Sequence, residues 1–220
     1  MSDSGLRERK KQQTRTALID TALDLFLTQG YETTTVDEIA AAVNVSQRTF
    51  FRYFATKEEV ALACFVETEH AFFAEFMLRL DHEAPFAALC TAWRTIMQTT
   101  ILSNTERSQR FRKSVRLAEM SPILFAGNLR RNLKVGKQLA DAIATRWGID
   151  PEADPRPILI VEFFWAAVRV GTGLCIHPDT TDLEELSTRI DETLAIAGEA
   201  LRFGWDTPPV QQAESSGAIS

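Results

Sequence analysis

Residues 35–59 read TVDEIAAAVNVSQRTFFRYFATKEE, and three helix starts are packed into that stretch. Thr35-Val36-Asp37-Glu38 has the form of a capping box, in which the threonine hydroxyl and the later glutamate each satisfy an orphan backbone N–H. The helix it opens is short and ends near Val43, with Asn44 as a turn residue. Ser46 can cap the next helix, Gln47 to Phe54, and Thr56-Lys57-Glu58-Glu59 is a further capping box opening a long one. Two short helices joined through Asn44-Val45 have the spacing of a helix-turn-helix. Phe50 and Phe54, four apart, face inward with Ile39, Ala40 and Val43. Five consecutive residues cannot all enter a core from one helix, so Phe51, Arg52 and Tyr53 fall on or beside the outward face.

A recognition helix laid in a major groove offers its first side chains to base edges. Gln47 can pair with adenine and Arg48 with guanine, and the Thr49 methyl can meet thymine. Phe51, Arg52 and Tyr53 suit thymine methyls and sugar-phosphate edges, while Thr35 and Lys57, at neighbouring helix starts, are candidates for phosphate contacts. Asp37 and Glu38 lie awkwardly close to that face, and closing the cap is the simpler role for Glu38.

The charge distribution around this unit is uneven. The 220-residue chain carries a net charge of −6. Residues 1–57 nevertheless balance at +1, with Arg7, Arg9, Lys10, Lys11 and Arg15 gathered at the start. A basic arm on an acidic body marks either a nucleic-acid contact or a solvated tail. Residues 106–137 form a second basic stretch at +7, with Arg112 and Arg116 among its nine cations.

Outward from the motif, every periodic segment is helical and no run alternates with period two. The spacing predicts helices over about 12–29, 36–43, 47–54, 57–80, 85–102, 106–119, 122–147, 158–176 and 183–203, an all-α chain of about nine helices. Residues 1–11 read as a basic disordered arm, 12–56 as the helix-turn-helix domain, 57–204 as a larger helical domain and 205–220 as a disordered tail.

Thr33 to Ala40, Val45 to Phe54 and Lys57-Glu58-Glu59 together resemble the DNA-binding signature of the TetR family of bacterial regulators. The resemblance covers about residues 12–60 and implies an all-α homodimer that binds a near-palindromic operator and is released by a small-molecule effector. It implies DNA contacts from Gln47, Arg48, Thr49, Phe51, Arg52 and Tyr53, with Thr35 and Lys57 on phosphates. Position 51 departs from the family, which often has tyrosine there, and this puts one phosphate hydrogen bond in doubt. The segment from Phe111 to Gly148 is similar to the acyl-CoA-like ligand domain of some actinobacterial members.

In such a body the effector lies among the middle helices, and Phe65, Phe72, Trp93, Met97, Phe111, Val115, Met120, Phe164 and Trp165 are the large side chains available to line a site. Each is equally at home in a plain core. Arg112 and Arg116, four apart, can hold a carboxylate, which suits an anionic acyl ligand; a solvated basic face is the other reading. The eighth helix is apolar nearly all round, and the ninth carries Leu183, Leu186, Ile190, Leu194, Ala197 and Leu201 at helical spacing. These two helices are the expected homodimer contact, with Gly171 and Gly173 admitting a partner helix.

Other classes find less support. His70, His82 and His177 lack partners at metal-ligand spacing, and HExxH, P-loop and GxSxG motifs are missing, so neither an enzyme nor a metal or other cofactor is expected. Cys64 reads as a redox sensor or as a buried thiol. The most apolar stretch, Ile158 to Ile176, contains Glu162, Arg169 and two glycines, which argues against a membrane span and for a cytoplasmic protein. A helical ligand-binding or interaction protein without specific DNA binding is the rival reading, and it leaves Arg48, Arg52 and Lys57 unexplained.

Overall fold

The computed structural model describes residues 3–173 and 182–201, and among these the chain is helical with no strand. α1 spans Asp3–Gln29, α2 Val36–Ala42, α3 Gln47–Tyr53, α4 Lys57–Ala61, α5 Ala63–Leu80 and α6 Pro85–Ile96, which a π-helical stretch, Met97–Leu102, prolongs. α7 spans Thr105–Met120, α8 Pro122–Trp147, α9 Arg156–Gly173 and α10 Leu183–Ala200. The expected tail 205–220, Cys175, His177-Pro178 and the helix ends placed at 176 and 203 lie outside the described residues.

Local chemistry sets most helix ends. The side chains of Thr35, Ser46, Thr56 and Asp182 accept the backbone N–H groups of Glu38, Thr49, Glu59 and Glu184. Gly148 closes α8 in the left-handed region, at φ 66°. Asn44 turns the chain between α2 and α3 at φ 56°, a conformation asparagine tolerates better than most residues.

Three expectations change. The long fourth helix breaks at Leu62, so the described residues hold ten α-helices rather than nine. Val60 to Cys64 are buried without a gap, whereas a straight helix buries one stripe. The break turns the chain there, and α4 packs on α1 and α8. The fifth expected span, 85–102, is also interrupted: Thr95, Thr99 and Ser103 return their hydroxyls to the carbonyls four residues back, at 2.9, 2.6 and 2.5 Å, and the backbone loosens into the π-helix there. Residues 3–11 are not a disordered arm but the first turns of α1, exposed from Gly5 onward. After Gly5 that segment is rich in good helix formers, and extending an existing helix costs no new nucleus.

Two apolar clusters result. One joins Leu18, Leu23, Phe26, Ile39, Phe50 and Phe54, and it runs on into the body through Leu117 of α7 and Leu124 of α8. The other fills the body between α5, α6, α7, α8, α9 and α10. Ion pairs reinforce the join: Arg110 meets Asp20 at 2.6 Å, and Lys113 meets Asp24, both from α7 to α1. Arg130 and Arg131 of α8 pair with Glu58 of α4 and Glu69 of α5. Much of the basic 106–137 stretch therefore offsets acidic neighbours within the chain.

The α9–α10 crossing departs from expectation as well. A Cβ at Gly171 would stand 2.7 Å from the Ile190 Cα, so this glycine admits the chain's own α10 and not a partner helix. Gly173 has open space around it. Leu183, Leu186, Ile190, Leu194 and Leu201 are buried in the same subunit's core, and Ala197 packs against it. The outward apolar residues of these two helices are Leu159, Phe163, Val170 and Ile196. No helix among the described residues is long and apolar enough to cross a membrane.

Candidate nucleic-acid face and internal cavity

α3 is anchored by Phe50, which is fully buried against α2 and α1, with the Phe51 and Phe54 rings 5.5 and 5.8 Å away. That anchor turns Gln47, Arg48, Phe51 and Arg52 outward, all of them exposed. The Arg52 guanidinium lies over the half-buried Tyr53 ring at 5.4 Å. Thr49 is half-buried, and its hydroxyl is 2.9 Å from the Ser46 hydroxyl, which ties it to the helix cap.

The two expected phosphate ligands have other occupations. The Thr35 hydroxyl bonds the Glu38 carboxylate at 2.9 Å, and the Glu38 carboxylate accepts the Thr35 N–H at 2.7 Å, closing the box. That N–H holds the Glu38 carboxyl below the usual carboxylate range. Lys57 turns its ammonium back onto the loop between α1 and α2, donating to the carbonyls of Tyr31, Glu32 and Thr34 at 2.6, 3.2 and 3.0 Å. It also sits 4.5 Å from the Tyr31 ring centre. Three carbonyls and a ring face saturate an ammonium, so Lys57 pins the loop that leads into α2. Lys57→Met is expected to destabilise the chain by about 1.5–3 kcal/mol, the range for hydrogen bonds to charged groups. The slope of log affinity for DNA against log salt should stay unchanged; a decrease of about one in that slope would restore a phosphate contact.

The second feature is a cavity of about 260 Å³ in the body. Of the expected lining residues, Phe65, Phe72, Trp93, Phe111, Val115 and Trp165 border it. Phe164 lies behind the wall, stacked on Phe72 at 5.4 Å, and Met97 is core. Met120 is exposed. Arg112 and Arg116 are also exposed and do not border the cavity: they ride the outer face of α7, while Phe111 and Val115 look inward. The proposed anion-holding rim is therefore not built from them.

Polar lining residues that sequence reasoning passed over include Thr68, Glu69, Asn128, Asn132 and Arg169. A signal for Glu69 was present, since it stands at helical spacing between Phe65 and Phe72 on an otherwise apolar face. Burial pushes the Glu69 carboxyl up, against the opposing pull of its bond from Arg131. Burial also raises Glu119 at the rim. Cys64 and Cys90 are buried, and desolvation raises their thiols to about 11 and about 12, so neither supplies the thiolate that a redox sensor needs.

Comparison with known proteins adds to this geometry. The family described as "Bacterial regulatory proteins, tetR family" matches residues 18–64, and the family described as "MftR C-terminal domain" matches residues 83–198. The chain is 41% identical over 206 residues to the HTH-type transcriptional regulator TcmR of Streptomyces glaucescens, covering 93% of this chain and 91% of that protein. It is 26% identical over 198 residues to MftR of Mycobacterium tuberculosis, covering 90% and 94%. Among solved structures, the SmeT–triclosan complex superposes with a TM-score of 0.55 at 21% identity, covering 84% of this chain and 91% of the other. A transcriptional regulator from Aquifex aeolicus superposes at 0.53 with 15% identity, covering 83% and 98%. These two structures share the fold.

Proposed function

The chain belongs to the TetR family of bacterial regulatory proteins, and from that premise we propose that it is an effector-responsive repressor, acting in the cytoplasm as a homodimer on a near-palindromic operator. One observation carries the reading: the outward face of α3 exposes Gln47, Arg48, Phe51 and Arg52 together, on a helix fixed from behind by Phe50. Exposed glutamine and arginine at the start of such a helix reach base edges, and an exposed phenylalanine there reaches thymine methyls. The dimer forms through the outward stripe of α9 and α10, which sets two copies of α3 about 34 Å apart, or further, along one side of a duplex.

The effector is small and mainly apolar, held in the body cavity. α7 supports the coupling, because it contributes Phe111 and Val115 to the cavity wall and also grips α1 through Arg110 and Lys113. A ligand that displaces α7 drags α1, and with it the orientation of α3. This is the step that releases DNA.

The test is operator binding followed by fluorescence anisotropy. Arg48→Ala is expected to cost about 1–3 kcal/mol and to relax choice at one base position. An equal loss on every single-base operator variant would make Arg48 a phosphate contact. Binding that does not weaken as salt rises would sink the DNA-binding reading itself.

A further inference from the structure

Residues 5–13 of α1 are all exposed, so the helix overhangs the rest of the chain before its packed part begins around Thr14. The overhang holds Arg7, Arg9, Lys10 and Lys11, with Glu8 as its single acid. Side chains on a helix advance by about 100° per residue, which fixes the side each cation takes. Arg9, Gln13, Thr16 and Asp20 share one side, and there they line a groove against Glu106 and Gln109 of α7. The Arg110–Asp20 and Lys113–Asp24 pairs hold the same side of α1 to α7. Arg7 and Lys11 stand about half a turn away, in a stripe with Arg15, Leu18 and Ala22. Leu18 and Ala22 are fully buried in the cluster that holds Phe50 and Phe54. The Arg15 guanidinium lies 5.2 Å from the Phe54 ring centre, at the end of α3, and pairs with Glu67. Arg7 and Lys11 therefore continue, beyond the packed part of α1, the side on which the helix-turn-helix sits.

Resting on the reading of α3 as the recognition helix, we propose that Arg7 and Lys11 form a second DNA contact, to the sugar-phosphate backbone beside the groove that α3 enters. The class of contact follows from the residues. Both are long, solvated cations on a helix packed against nothing, which suits phosphate charge rather than a fitted base edge. Arg7 has no ion-pair partner among the described residues. Lys11 meets Glu8 at 3.7 Å, and a pair that exposed exchanges at little cost for a phosphate. A lipid surface suits the overhang less well, because Leu6 is the one large apolar side chain among residues 5–13.

Salt counts phosphate contacts. A duplex enriched from a random library by the unmodified full chain, and a scrambled duplex of the same length, are titrated by fluorescence anisotropy over a range of salt. Arg7→Gln combined with Lys11→Gln keeps good helix formers in place. The double variant is expected to flatten the slope of log affinity against log salt by about two per bound subunit, on both duplexes. Its choice among single-base variants of the enriched duplex should stay as in the parent, because backbone contacts carry no base identity. Arg9→Gln removes one charge from the same overhang, on the side that faces α7, and should leave the slope as it is. Circular dichroism and a cooperative melt check that the helix persists in each variant. An unchanged slope in the double variant, a flattening by Arg9→Gln as large per charge, or an altered base choice would each overturn the proposal while the α3 reading stands. If the library yields no enriched sequence, the α3 reading falls and the proposal falls with it.

Discussion

A Leu159→Glu, Val170→Glu double variant is expected to sediment as a monomer and to lose operator affinity by about 10²–10⁴-fold, the range that a second linked contact contributes. Both residues are large, apolar and exposed in the isolated subunit, at 45% and 56%. They lie eleven residues apart on α9, three turns along one face, with Phe163 between them. In a two-fold interface each substitution appears twice, so four carboxylates would enter an apolar contact without partners. Because the positions are open in the single subunit, its own stability should move by no more than about 0.5 kcal/mol. Sedimentation velocity reads the assembly state and anisotropy reads the operator affinity. A variant that stays dimeric would shift the subunit contact to another apolar face, of which Ile123, Phe125, Leu129 and Leu133 on α8 are the clearest.

Sequence made the helix ends legible where the deciding chemistry is local. Thr35 with Glu38, Ser46 with Thr49 and Asp182 with Glu184 all act within three residues, and each works as its spacing suggests. The burial of Phe50 and the exposure of Phe51 follow from helical period alone. What sequence hid depends on distant partners. Lys57 looks like a free cation at a helix start until the fold brings the carbonyls of Tyr31, Glu32 and Thr34 beneath it. Arg112 and Arg116 share a helix with Phe111 and Val115, but adjacent residues on a helix point about 100° apart, and only the second pair meets the cavity. Gly171 admits a close helix, as its lack of a side chain suggests, and only the tertiary fold decides that the helix is the chain's own. Arg169 reads as a surface charge in the sequence; its place in a cavity wall emerges once α9 packs against the rest of the body.

Phe50→Ala and Phe51→Ala are expected to give opposite results despite being neighbours. Phe50 is fully buried, and truncating such a phenylalanine costs about 3–5 kcal/mol through lost burial and the void left behind. The consequence is larger than the stability loss alone. α3 is seven residues long, and isolated helices shorter than about 12–15 residues do not persist in water. Its helicity is therefore borrowed from the packing that Phe50 makes with Ile39, Ala40 and Phe54. Without that anchor, Gln47, Arg48 and Arg52 lose their common orientation, and operator binding should disappear even at temperatures where the rest of the chain is folded. Phe51 is 49% exposed, so its truncation removes little burial and should leave the melting temperature nearly unchanged. DNA affinity should still fall, because the ring belongs to the outward face. Thermal denaturation and anisotropy on both variants separate the two roles. A Phe50→Ala protein that melts like the parent and still binds its operator would mean that α3 is held by something other than its buried ring, and the presentation of its outward face would need another cause.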